Sequence, residues 1–359
     1  MNRKWTKEEA NIWYQGLGWL RGCNFIGSDC ANRLDMFQNY KHEEKLKTAE
    51  RELALCQKIG FNTVRIWANF DVYYAEPDSY MDIFDRYIKI CEKYGQKVMV
   101  VLAHEEDLPR GDVFVPKKMG EQEYALGEHQ GRFPMSPEYS ALTPHHYMEY
   151  PQLRDKYVEM VLKTVRRYKD NDTVFCWNIW NEPGIEIGER SIELIETLFD
   201  VVRAEDPTQP LCADVWRGNK NGVPNTKEEA CALELSDVIS YHSYSGYRWF
   251  VEGLKGIQKV GRPILVTEWL HRINHNNFEE LYPLFYLENI ANYCWGFVVG
   301  KTQTNEPWNF LWDDLDNGNC DRYDFTKWQH DLFRPNLRPY NPKEIEMIEY
   351  FNKLADGEI

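Results

Sequence analysis

Eight short apolar runs recur along this chain, each followed by a segment long enough for a helix, and that alternation restricts the fold more than any other feature. The runs fall at 19–29, 61–70, 97–103, 173–180, 211–216, 237–244, 263–269 and 293–302. They are rich in Val, Ile, Trp, Tyr and Cys, as strands of a covered parallel sheet should be. Leu46, Ala49, Leu53 and Cys56 recur at helical spacing ahead of Gly60, and Ile83, Tyr87, Cys91 and Tyr94 do so ahead of Gly95. Further helices are predicted over 152–168, 191–204, 226–235, 248–260 and 277–291. Asn341-Pro342 reads as the N-cap and first residue of a last helix. A strand followed by a helix-length segment, eight times over, is the pattern of an α/β chain closed into a (β/α)8 TIM barrel.

No Ser/Gly-rich linker, internal repeat or low-complexity tract interrupts the 359 residues, so 1–359 reads as a single barrel domain. Two connections are long. The one after the third strand, 104–151, carries six prolines together with Phe114, Tyr124, Phe133, Tyr139 and Tyr147. The one after the eighth, 301–340, holds Trp308, Trp312 and Trp328. Both leave from the strand ends where barrel enzymes keep their sites, so both are expected to wall or cover a pocket.

The formal charge of −15 argues against a nucleic-acid or anionic-membrane partner, because phosphates would be repelled over most of the surface. The longest apolar runs, such as 98–103, fall far short of the roughly 18 to 20 residues a membrane-spanning helix needs. Met1-Asn2-Arg3-Lys4-Trp5 leads into Thr-Lys-Glu-Glu and not into an apolar signal core. The 9 cysteines are odd in number, and Cys56, Cys91, Cys176 and Cys294 fall inside predicted elements like small buried apolar residues. A reducing compartment and a cytoplasmic location are therefore expected. The aromatic share of 14% suits stacking on the apolar faces of sugars, and equally suits a large core.

The chemistry concentrates in two strand ends. Thr-Val-Phe-Cys-Trp-Asn-Ile-Trp-Asn-Glu-Pro (173–183) is a strand that stops at a proline and delivers Glu182 to its C-terminal end. Walls of tryptophan there would favour a protonated carboxyl, so Glu182 reads as a catalytic acid, with Asn181 beside it to bind a substrate hydroxyl. Pro-Ile-Leu-Val-Thr-Glu-Trp-Leu-His-Arg (263–272) repeats the design with Glu268. The two acids would stand on strands four and seven and face each other across the barrel mouth. Such a pair is what glycoside hydrolysis needs: one carboxyl protonates the departing oxygen, and the other attacks or stabilises the sugar centre. Asn305-Glu306-Pro307 repeats the tripeptide, but too few residues follow it for the four strands that must come after strand four.

Asn-Glu-Pro after strand four with Thr-Glu-Trp after strand seven resembles the clan A glycoside hydrolases, and most closely family 5, the cellulase and mannanase family, over about residues 15 to 310. The resemblance implies a retaining double displacement with Glu182 as acid/base and Glu268 as nucleophile, needing no cofactor or metal. It implies that Arg65 binds the nucleophile's carboxylate and that Asn181 bonds the sugar's 2-hydroxyl. It further implies that His104 touches the first sugar, that His242 neighbours the acid/base, and that Tyr244 donates to the nucleophile. The arginine and tyrosine would lower the pKa of Glu268, and aromatic burial beside a negative charge would raise that of Glu182. Strand eight departs from the pattern: the family's tryptophan platform is expected near its end, whereas Trp295 lies early in the predicted strand and so reads as too deep. Trp308 is the replacement from the following loop, with Lys301 or Gln303 for polar contacts.

The substrate implied is a β-linked oligo- or polysaccharide of gluco, manno, galacto or xylo configuration. Three other readings use the same chain: a sugar-binding protein on a degenerate barrel, a transglycosidase with identical residues, and a metal-dependent hydrolase built on His104, Glu105, Glu106, His145, His146 and His242. The histidines of the last lack a metal-ligand spacing.

Overall fold

Strands buried on both faces need no alternation of polar and apolar residues, and the barrel strands show almost none of it. The computed structural model describes residues 3–109, 117–122, 142–217, 222–319 and 321–359, and of 106–109 and 142–144 the backbone only. Lys7–Gln15 (α1) precedes the first strand, Arg21–Asn24 (β1); Arg33–Phe37 (α2) and His42–Lys58 (α3) lead on to Thr63–Trp67 (β2). Phe70–Ala75 (α4) and Pro77–Lys93 (α5) return the chain to Lys97–Val101 (β3). An antiparallel ribbon, Glu106–Pro109 (β4) with Leu142–His145 (β5), comes next, followed by Pro151–Tyr168 (α6). The other barrel strands are Val174–Trp180 (β6), Leu211–Val215 (β7), Ile239–His242 (β8), Ile264–Trp269 (β9) and Ala291–Cys294 (β10). Between them run Ser191–Ala204 (α7), Lys227–Leu235 (α8), Tyr247–Gln258 (α9) and Phe278–Leu287 (α10); Asn309–Asp316 (α11) and Pro342–Asp356 (α12) follow.

Parallel pairing runs β1-β2-β3-β6-β7-β8-β9-β10, and β10 pairs back onto β1, so the sheet closes into a (β/α)8 barrel. Asn341 caps α12 by accepting from the Lys343 amide (3.1 Å), with Pro342 as its first residue, as its sequence implied. The outward strand residues pack on the helices in one large apolar layer, and Cys56, Cys91, Cys176 and Cys294 are all buried within their elements.

α1 has no counterpart in the sequence reading. A reciprocal cap between Thr6 and Glu9 starts it, and its apolar side closes the N-terminal end of the barrel. Ala10 and Tyr14 pack there with Met99, Phe175, Leu265 and Tyr293, and Trp13 stacks on Phe175 with centroids 6.0 Å apart. With that end filled by side chains, the C-terminal end is left for a site.

Three expectations need correction. The second strand stops at Trp67, because Asn69 accepts from the Val72 amide (3.0 Å) and starts α4. The eighth strand is Ala291–Cys294 and not 293–302: Gly296 turns the chain at φ +74, and Val298 and Val299 pair with Phe333 of the following segment instead of with the barrel. Trp295 therefore stands at the strand's C-terminal end, not deep within it. In the long connection after β3, Phe114, Tyr124, Phe133 and Tyr139 lie outside the described residues. Tyr147 does not wall a pocket: it is buried among Phe70 and Tyr157 and donates to Asp71 Oδ2 (2.7 Å).

Candidate active site

Each candidate acid follows an irregularity in its strand. On β6, Asn178 faces Cys212 and Trp180 faces Ala213, so Ile179 is an extra residue; on β9, Val266 faces Tyr241 and Glu268 faces His242, so Thr267 is extra. A bulge of this kind bends the strand and re-aims the side chain beyond it. Glu182 then takes φ +43, a left-handed conformation costing a non-glycine residue about 1–2 kcal/mol. Its surroundings hold it there. Its amide donates to Asp214 Oδ2 (3.2 Å), and the buried Glu105 carboxylate accepts from the amides of Gly184 (2.7 Å), Glu186 (2.6 Å) and Ile187 (2.7 Å).

Arg65, on β2 and fully buried, ties the site together. Nη1 donates to Glu268 Oε1 (2.7 Å) and Asn24 Oδ1 (3.0 Å), and Nη2 donates to Asn181 Oδ1 (2.7 Å) and Asp214 Oδ2 (3.0 Å). Tyr244 donates to the other oxygen of Glu268 at 2.8 Å. His242 Nδ1 lies 2.8 Å from Glu182 Oε1 and 3.6 Å from Glu268 Oε2, and its Nε2 lies 3.2 Å from Asp214 Oδ2. One oxygen of Glu182 and one of Glu268 fall within 4.8 Å of each other and of a His242 nitrogen.

Burial by itself would push the His242 imidazole down, but the facing carboxylates of Asp214 and Glu268 raise it to about 10, so it is a cation at neutral pH. Burial would likewise raise Asp214, yet His242 and Arg65 hold it well below the carboxylate range. Glu268 goes the other way from expectation. Burial raises it and the charges of Glu182 and Asp214 add to this, outweighing His242 and Arg65. The sequence had placed arginine and tyrosine beside this carboxyl and had missed how completely the strand end is buried. Burial and Glu268 raise the Tyr244 hydroxyl well above its ordinary range, so it stays a donor. Two cations, Arg65 and His242, thus face the three carboxyl groups of Asp214, Glu182 and Glu268.

The remaining predicted residues divide. His104 sits at the rim after β3, bridged to Asn181, whose amide donates to Ala103 O (2.8 Å). Trp308 packs edge-on against Tyr244 (5.0 Å between centroids) and His271 (4.7 Å) at the edge of the site. Trp312 and Trp328 instead pack on Phe325 and Tyr340. The tryptophans near the acids in sequence do not wall them: Trp269, adjacent to Glu268, faces the opposite side and packs on Phe278 and Phe285, and Trp180, two residues before Glu182, packs on His146. The aromatic wall comes from Trp67 and Trp295, whose rings meet edge-on at 5.4 Å, and Arg65 lies over Trp67 at 4.8 Å. The second Asn-Glu-Pro, 305–307, lies in the segment before α11 and off the barrel.

Sequence reasoning missed Asp214 and Asn24. Asp214 could have been noticed as the lone charge within the apolar strand Leu211–Val215; Asn24, in Arg-Gly-Cys-Asn, carries no comparable signal. Glu182, His242 and Glu268 also have the ligand spacing of a metal site, the one such group among the described residues. A cationic imidazole and an arginine on Glu268 make it a poor cation receptor. The histidines of the metal-hydrolase reading do not converge, since His146 packs on Trp180 and Tyr157.

The sequence matches the family model for cellulase (glycosyl hydrolase family 5) over residues 24–295. Similar solved structures include the endo-β-1,4-mannanase of Thermotoga petrophila, at 12% identity and TM-score 0.56, covering 95% of this chain and 78% of that one. The family 5 mannosidase of Rhizomucor miehei gives 12% identity and TM-score 0.55, with 95% of each chain covered. The exo-β-1,4-mannosidase of Opitutaceae bacterium strain TAV5 gives 14% and 0.56, with 95% of this chain and 59% of that one. None of the curated proteins compared matches the chain. No described helix is long and apolar enough to cross a membrane.

Proposed function

The chain belongs to glycosyl hydrolase family 5, and from that premise we propose that it is a retaining β-glycosidase using Glu182 as acid/base and Glu268 as nucleophile. The observation that carries the reading is that one oxygen of Glu182 and one of Glu268 come within 4.8 Å of each other around His242, a spacing that leaves no room for the longer gap of an inverting pair. Retaining enzymes hold their pair about 5–5.5 Å apart, whereas inverting ones leave about 6.5–9.5 Å for a water.

In the first half-reaction Glu268 attacks the anomeric carbon while Glu182 gives its proton to the departing glycosidic oxygen, leaving a glycosyl ester on Glu268. In the second, Glu182 takes a proton from water, the hydroxide attacks the same carbon, and Glu268 leaves as carboxylate. Arg65 and Tyr244 stabilise the returning charge on Glu268. Tethered to Arg65 through Oδ1, Asn181 presents its amide N–H to the sugar's 2-hydroxyl. His104 and Trp308 border the sugar from the rims after β3 and β10.

The names of the similar structures put β-mannosides first among substrates to try, ahead of gluco, galacto and xylo isomers. The test is turnover of a panel of aryl β-glycosides and β-linked oligosaccharides by wild type, Glu182→Ala and Glu268→Ala. Loss of turnover in both variants, with azide restoring activity to one of them as a glycosyl azide, is the expected result. Sugar binding without turnover of any panel member would favour the binding-protein reading.

A further inference from the structure

Beside the Trp67–Trp295 wall lies a small cavity that the catalytic reading does not use. Its lining includes Asn24 and Trp67, which touch Arg65, with Trp295, Ile26, Phe297 and Val298, and the mutually bonded Thr302, Thr304 and Asp331. Asn24 also accepts from Arg65 and donates to Thr267 O (2.9 Å), so the cavity adjoins the residues that hold Glu268.

Asp331 is buried, its Oδ2 accepts from Thr304 (2.7 Å), and its Oδ1 has no donor in full hydrogen-bond geometry, the Phe297 amide acting on the carboxyl only weakly. A buried carboxyl oxygen left this way is costly unless something supplies a donor. The position is built and not accidental. Asp331 has φ +60, and its carbonyl, with that of His330, accepts from Arg272 (both 2.9 Å). Arg272 is itself clamped by buried Glu344 at 2.8 and 2.7 Å. Gly296 faces the same oxygen: a Cβ there would stand 2.5 Å from Asp331 Oδ1. A strained residue, a pinned backbone and a glycine that a Cβ would disturb together keep an acceptor on the lining of a cavity that it shares with Trp67 and Trp295.

Resting on the glycosidase reading, we propose that this cavity receives the exocyclic hydroxymethyl group of the bound sugar, its methylene against Trp67 and Trp295 and its hydroxyl donating to Asp331 Oδ1. A lining of apolar rings together with a hydrogen-bond acceptor matches a CH2–OH arm, and the space is too small for a sugar ring. Asp331 is then a specificity residue that selects hexosides over pentosides. Burial, opposed by hydrogen bonding from Thr304, by the Arg272 charge and by the Phe297 amide, raises its carboxyl to about 7.

The test compares kcat/KM for an aryl β-hexoside, its 6-deoxy analogue and the matching pentoside in wild type, Asp331→Asn and Thr304→Val. Asparagine tolerates positive φ and keeps the shape, so the first variant is expected to fold. Wild type should prefer the hexoside over the 6-deoxy compound by about a hundredfold or more, because a site built to bond a hydroxyl discriminates strongly against its absence. That preference should fall about tenfold in both variants. An unchanged preference in Asp331→Asn, or a wild type indifferent to the 6-hydroxyl, would overturn the proposal. Should no glycoside turn over, the catalytic reading fails by itself. Calorimetric binding of methyl β-hexoside against methyl 6-deoxy-β-hexoside would then read the same contrast.

Discussion

Arg65 shows how much of this site rests on single side chains. Its guanidinium serves Glu268, Asp214, Asn181 and Asn24 at once, which a planar fork can do and a lysine's point charge cannot. We expect Arg65→Lys to lower kcat/KM at least about a hundredfold in steady-state assays with little change in fold by circular dichroism. Near-wild-type activity would contradict the role given to the arginine. Asp331 makes a prediction of opposite electrostatic sign to the usual carboxylate. Its carboxyl is raised from 3.8 to about 7, so the native state binds the proton more tightly than the unfolded chain. Stability is thus fully present below about pH 4 and is lost as pH rises through about 7. Denaturant titrations should find Asp331→Asn more stable than wild type at pH 8, by on the order of 1–4 kcal/mol, with the gap closing near pH 4. A constant gap would show that Asp331 does not titrate this way.

Among the elements, α1 tests how the barrel is closed below the site. Tyr14 donates to Asn289 O (2.7 Å) and accepts from the Ala291 amide (2.6 Å), a contact that bonds the helix to the start of β10. Tyr14→Phe strands that amide and should cost about 1–3 kcal/mol in thermal or chemical unfolding, with kcat unchanged. No loss of stability would mean that the helix contributes only apolar cover. This helix was hard to see in the sequence because its Lys, Glu and Asn face solvent and dilute the apolar signal of Ala10 and Tyr14. Strand eight was misread for the converse reason: residues 295–299 are as apolar as a strand, but what buries them is the 331–333 segment. Bulges at Ile179 and Thr267 depend on pairing between strands, and no local pattern announces them.

For the whole molecule, the eightfold alternation was enough to identify the barrel, since covered parallel strands and amphipathic helices each leave a strong local signature. The acids were legible for a related reason: an apolar strand cut off by Glu-Pro or Glu-Trp puts its charge at a barrel rim. Asp214 and Asn24 contribute through contacts made only on closure, and the balance of burial against charge at Glu268 could be read only with every neighbour in place. The central claim, that Glu268 forms a glycosyl ester while Glu182 moves the proton, is most directly tested by trapping. Wild type would be incubated with an activated 2-deoxy-2-fluoro β-glycoside of the preferred sugar, digested, and mapped by mass spectrometry. One adduct is expected, on the peptide containing Glu268 and on that carboxyl. An adduct on Glu182, or turnover that inverts the anomeric centre with no adduct, would contradict it.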